Sequence, residues 1–157
     1  MSRLEWVQEA VDEILLSVED GVWRRKFYVH LYGVAQCAAL LSLKRGLDAE
    51  LASAAAMLHD ISAATKGNYD NHCQLSAQEA EAVFNRLNIF SAQEIALMAN
   101  AIRNHDFRAE THTAFDEVLK DADILHPYLL DTNKEVTQSA RARLTDMRGE
   151  LGISCRG

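Results

Sequence analysis

Four segments of the chain carry one start signal: Ser2-x-x-Glu5, Ser76-x-x-Glu79, Ser91-x-x-Glu94 and Thr132-x-x-Glu135. In this pattern the hydroxyl accepts from the backbone N–H three residues on, and the carboxylate reaches back to the N–H of the capping residue. Two of the donors that every helix N-terminus leaves unpaired are thereby satisfied. The breakers agree, with one proline and seven glycines in 157 residues. Gly46 follows Lys44-Arg45, the arrangement of a helix C-terminus, and Asp48 can cap the next helix. Phe27, Leu31, Val34, Ala38 and Leu41 form an apolar stripe at helical spacing. No segment alternates with period two, so no strand is expected. The sequence predicts an all-α bundle of about seven helices, at about 3–19, 23–44, 49–64, 72–87, 92–105, 115–130 and 133–150. A loop with Gly67 and Asn68 precedes the fourth.

The length suits one domain, 1–157, with no linker, repeat or low-complexity tract. At 48% hydrophobic residues there is material for one sizeable core. The net charge of −7 repels phosphate backbones, so no nucleic-acid polymer is expected as a partner. Cys37, Cys73 and Cys155 are odd in number and show no C-x-x-C spacing. They predict reduced thiols and a cytoplasmic protein rather than a disulfide framework or a zinc ribbon. Nothing ties any of the three to a base, so a cysteine nucleophile is not expected. No apolar run approaches the roughly 20 residues of a membrane span, and the segment after Met1-Ser2-Arg3 lacks the apolar core of a signal peptide.

The chemistry gathers around Met57-Leu58-His59-Asp60-Ile61, where a His-Asp doublet closes an alanine-rich, buried-looking helix. Successive helical side chains point about 100° apart, so neighbours can converge on one ion near the helix surface. Imidazole with carboxylate suits Zn, Mn, Fe, Co or Ni better than Ca. The doublet alone is equally explained by a buried His satisfied by its neighbour. His30 interrupts the apolar stripe of the second helix, and Asp123 sits in an apolar helical face. A buried carboxylate without a partner is very costly. One metal shared by three helices accounts for all three anomalies.

The order His30 … His59-Asp60 … Asp123 resembles the H…HD…D signature of the HD superfamily of metal-dependent phosphohydrolases. The segments VHLYGVAQCAALLSLKRGLDAELASAAAMLHDI, NHCQLSAQEAEAVFNRL, IALMANAIRNHD and LKDADIL are similar to its successive motif helices. The likeness spans about 24–131, with the helix at about 133–150 following it. It implies an HD-domain helical bundle with the site between helices, holding one or two divalent transition metal ions. His30, His59, Asp60 and Asp123 would hold the first ion. His72 and His105 would hold a second, with Asp60 bridging. Asp121 would lie behind the ligands or at the surface. Many members place Lys or Arg directly after the final aspartate, whereas this chain has Ile124, which leaves phosphate binding to other residues. Lys26, four residues before His30, and Arg108 are the candidates, with Arg103 a lesser one. His112, between threonines, and His126, before Pro127, read as exposed and structural respectively.

The implied reaction is hydrolysis of a nucleotide or other small phosphate ester by metal-activated water, with Asp60 orienting the nucleophile. Two other classes fit the same residues. HD-fold oxygenases use the same six positions for two irons, and a non-catalytic HD module would keep the fold and sense a ligand.

Overall fold

The computed structural model describes residues 1–154, so Cys155 lies outside the described residues. Two of the expected capping boxes form as drawn. Ser2 and Glu5 open α1 (Arg3–Leu16), and Ser91 and Glu94 open α6 (Ala92–Asn104). Asp20 caps α2 (Gly21–Arg45) by accepting from the N–H groups of Val22 and Trp23. Gly46 ends α2 in the left-handed region at φ 68°, and Asp48 accepts from the Leu51 N–H to start α3 (Ala49–Leu58). Further along lie α4 (Ile61–Lys66), α5 (His72–Leu87), α7 (Ala114–Leu130) and α8 (Gln138–Leu151). The described residues contain no strand.

Two expected boxes do not form. Ser76 is inside α5, fully buried, and its hydroxyl accepts from the Ser62 N–H at 3.1 Å and pairs with the Ser62 hydroxyl at 2.9 Å. It therefore ties α4 to α5 rather than starting a helix. Residues around Thr132 stay non-helical and α8 starts five residues late, because Pro127 and the polar run Asp131–Lys134 end α7 in turns. A box that uses aspartate, Thr113 with Asp116, starts α7 instead. Among the described residues the count is eight rather than seven because the expected 49–64 helix is broken. His59 ends α3, and Asp60 adopts φ −116°, ψ 17° before α4 begins.

Helix α3 is buried on every side, including Ala52, Ala54, Ala55 and Ala56 at 3% exposure or less. A helix apolar all round belongs in the interior, and alanine lets its neighbours approach closely. Helix α2 packs most extensively against α3 and α7, and α5 against α6. These surfaces bring the buried ends of α3 and α6 and the middles of α2 and α7 to one place. Gly33 permits the α2–α7 approach, since a Cβ there would lie 2.0 Å from Cε1 of His126. No described helix is long and apolar enough to cross a membrane.

Candidate metal centre

The break after α3 lets consecutive residues serve one centre. His59 is the C-cap of α3 and Asp60 the N-cap of α4, and the non-helical turn they form aims both inward. His59 Nδ1 lies 2.7 Å from the Ala56 carbonyl oxygen. A carbonyl only accepts, so Nδ1 carries a proton, and in the neutral ring Nε2 is the atom with the free lone pair. The same device recurs twice. His105 Nδ1 lies 2.7 Å from the Ile102 carbonyl at the end of α6, and His72 Nδ1 lies 2.9 Å from that of Tyr69 at the start of α5. Each ring is thus held by the carbonyl three residues back, the outer contact that fixes tautomer and orientation in metal-ligating histidines.

The free atoms converge in two sets. In the first, His30 Nε2 lies 3.2 Å from His59 Nε2, 3.4 Å from Asp60 Oδ2 and 3.3 Å from Asp123 Oδ1. His59 Nε2 is 3.6 Å from Asp60 Oδ2 and 3.4 Å from Asp123 Oδ1. In the second, Asp60 Oδ1 is 3.3 Å from His105 Nε2 and 3.6 Å from His72 Nε2. Nitrogen and oxygen ligands about 2.0–2.1 Å from a tetrahedral ion are separated by about 3.3–3.4 Å. The separations in the two sets, 3.2–3.6 Å, bracket that spacing. Asp60 Oδ1 is buried and has no hydrogen-bond partner, and a cation bound there would pair with it. The donors therefore fit a metal, and the two oxygens of Asp60 face different sets.

The electrostatics agree. Burial by itself would lower the pKa of His30, but Asp123 and Asp60 outweigh it and raise it to about 9. Burial would raise Asp60 and Asp123. The imidazoles around them, His59 foremost for Asp60 and His30 for Asp123, instead hold both well below the usual carboxylate range. His105 is lowered by burial and raised further by Asp60 and Cys73, ending well above its ordinary value. Without an ion the cluster balances its carboxylates with protons, and a divalent cation would displace them.

The structure brings together all six of the sequence-selected His and Asp residues, from α2, the α3–α4 turn, α5, α6 and α7. Arg108 joins them, with Nη2 2.9 Å from Asp123 Oδ2. It supplies by folding the cation that Ile124, itself buried, does not. The centre opens into a cleft of about 330 Å³ lined by His30, Asp60, His72, His105, Arg108 and Asp123 among others. A neighbouring cavity of about 480 Å³ shares His30, Tyr69 and Pro127 with it and adds Lys26, His126 and Lys134. Lys26 Nζ lies 3.1 Å from the Tyr69 hydroxyl and 4.4 Å from the Trp23 ring centroid.

Arg103 is not among these residues. Its guanidinium pairs with Glu81 at 2.6 Å and with Asn100, joining α6 to α5. Asp121 is buried behind the site in ion pairs with Arg45 and Arg143. His112 is half-buried rather than exposed, with Nδ1 2.6 Å from Lys120 Nζ. His126, read as structural, has its ring centroid 5.7 Å from that of His30 and lines the cavity beside it. Burial and the neighbouring His30 lower its pKa. The usable signal was its place three residues after Asp123, which puts the two on one face of α7.

Six inward-facing His and Asp side chains, from α2, α5, α7 and the caps of α3, α4 and α6, form a cluster in this helical bundle that could hold metal between helices. Residues 27–128, about two thirds of the chain, match the HD domain model. The chain belongs to the HD domain family. Its fold is similar to that of a protein described as a predicted HD superfamily hydrolase from an uncultured Thermotogales bacterium. The match is at 22% identity and TM-score 0.61, covering 96% of this chain and 87% of that one. No curated protein matches the chain.

Proposed function

We propose that this HD domain is a metal-dependent phosphohydrolase acting on a nucleotide or other small phosphate ester. The observation that carries the reading is the pair of donor sets sharing Asp60, with Arg108 beside Asp123 at the cleft wall. His30, His59, Asp60 and Asp123 would hold one ion, and His72, His105 and the second oxygen of Asp60 another. The chemistry such ions supply is Lewis acidity toward a phosphoryl oxygen and acidification of water toward neutral pH.

The chain's own residues do the rest. The carbonyls of Ala56, Tyr69 and Ile102 occupy Nδ1 of three imidazoles, so that Nε2 is the atom each would offer an ion. Arg108 spends Nη2 on Asp123, and its buried Nε has no hydrogen-bond partner. Its planar fork retains donors that match phosphate oxygens. Lys26 stands at the adjoining cavity, four residues before His30 on the same face of α2. Together they would neutralise charge developing on the transferred group.

The test is the full chain stripped by chelator and reloaded with Mn, Co, Ni or Fe, offered phosphomonoesters, phosphodiesters and nucleotides. Hydrolysis of one class is expected, abolished by chelation. Asp60→Asn should lower activity by more than the roughly 10- to 100-fold lost when an outer hydrogen-bond partner of a ligand is removed. No hydrolysis across the panel by fully loaded protein overturns the reading, and oxygen uptake with a diol or phosphonate would replace it with the oxygenase.

A further inference from the structure

One donor at this centre has no task in that mechanism. Cys73 directly follows His72 in the first turn of α5, half-buried, with Sγ 3.5 Å from His72 Nε2. Donor atoms of His72, Cys73 and His105 all lie within 4.8 Å of one another. His72 Nδ1 and His105 Nδ1 are already committed to carbonyls, so the atoms left to face the thiol are the Nε2 atoms that also face Asp60 Oδ1. For nitrogen about 2.05 Å and sulfur about 2.3 Å from a tetrahedral ion, the nitrogen–sulfur edge is about 3.5 Å. That is the spacing between His72 and Cys73. A simple thiol–imidazole contact would account for this one distance. It would leave Asp60 Oδ1 buried and unpartnered, 3.6 Å from His72 Nε2 and 3.3 Å from His105 Nε2. Position favours the thiolate too, since the N-terminal turn of a 16-residue helix attracts negative charge.

We infer that Cys73 is a thiolate ligand of the second ion, completing with His72, His105 and Asp60 Oδ1 a two-nitrogen, one-sulfur, one-oxygen set. The inference rests on the two-ion form of the proposed function. It makes the two positions chemically unequal. The first offers only nitrogen and oxygen. The second, with its sulfur, favours a thiophilic divalent ion such as zinc or cobalt. Cys37 is buried in α2 within the hydrophobic core, where burial pushes its thiol up to about 11.

The test is anaerobic titration of the stripped full chain with cobalt(II), reading cobalt bound per chain and the near-ultraviolet sulfur-to-cobalt charge-transfer band. The parent is compared with Cys73→Ser and with a Cys37→Ser, Cys155→Ser double variant. The parent and the double variant should bind two ions and show the band. Cys73→Ser should lose the band and bind one of the two ions at least roughly tenfold more weakly. Two ions without the band, a single ion without the band, or a band that survives Cys73→Ser each overturn the inference. The double variant retains Cys73, so it decides the matter even if Cys73→Ser fails to fold. Because the readout is spectroscopic, a band without phosphate hydrolysis would defeat the proposed function alone, and hydrolysis without a band would defeat only this inference.

Discussion

At the residue scale, the most demanding group outside the centre is Lys120. Its side chain is fully buried, and Nζ donates to the Glu110 carbonyl at 2.9 Å and to Glu117 Oε1 at 2.7 Å, with His112 Nδ1 at 2.6 Å. A buried ammonium needs this shell, because an uncompensated one costs several kcal/mol. Glu117 also pairs with Arg143 at 2.7 Å. Burial would raise its pKa, but Lys120, the His112 N–H and Arg143 pull it down to about 2 from 4.5. A lowered carboxylate contributes stability that is present above its unfolded pKa and lost as pH falls through the folded one. Glu117→Gln should therefore cost about 2 kcal/mol at pH 7, below the roughly 3–5 of a fully buried pair because an amide still accepts from Lys120. The difference from the parent should narrow between pH 4.5 and 2, which urea unfolding at pH 7 and pH 3 would measure. Nothing along the chain marked Lys120 as buried. Three neighbouring charged residues, Lys120, Asp121 and Asp123, read alike in sequence, and only their position on α7 separates a core lysine, an arginine-paired carboxylate and a candidate ligand.

At the element scale, the boundaries followed local chemistry wherever a cap was strong, as at Ser2, Gly46, Asp48 and Ser91. They departed where tertiary bonding claimed the capping side chain, as with Ser76, or where the backbone left the helix, as at Asp60. The α2–α7 contact has the tightest tolerance. Gly33→Ala would drive a methyl into the His126 ring, so that ring must move or the helices must separate. Overpacking of this kind costs roughly 1–3 kcal/mol. Because His126 stands beside His30, the variant should lose metal affinity as well as stability. A Gly33→Ala, His126→Ala double variant should regain stability. Thermal unfolding of the three proteins checks this, and a single variant as stable as the parent would contradict it.

At the scale of the whole molecule, one region gathers the interior ends of α3 and α6 and the faces of α2, α5 and α7, so the candidate ions would act as a cross-link between helices. A ligand that binds only the folded chain stabilises it by RT ln(1 + [L]/Kd), about 2.7 kcal/mol at a hundredfold excess over Kd. Chelation should lower the melting temperature by several degrees in the parent. It should change it little in a His59→Ala, Asp60→Ala variant, whose donor sets are both broken. The stripped and loaded forms should also respond oppositely to pH. In the stripped chain His30 is raised to about 9, so its pairing with Asp60 and Asp123 is fully present below pH 6.5 and fades as pH rises toward 9. Metal binding needs the neutral ring, so in the loaded chain affinity climbs over the same range. Melting curves from pH 6 to 9 with and without metal would reveal the crossing.

The sequence by itself determined the helical class, most helix starts and ends, and His30, His59, Asp60 and Asp123 as candidates, because caps, helical periodicity and improbable polar residues on apolar faces act within a few residues of chain. His72 and His105 were reached only through the resemblance to the HD superfamily. Only the tertiary structure decided that Asp60 turns its two oxygens toward two donor sets, that Arg108 reaches Asp123 while Arg103 is held by Glu81, and that His126 and Cys73 stand beside the centre. Those relations join residues from separate helices. They depend on how alanine-lined and glycine-notched surfaces pack to within an ångström, and no local pattern encodes that distance.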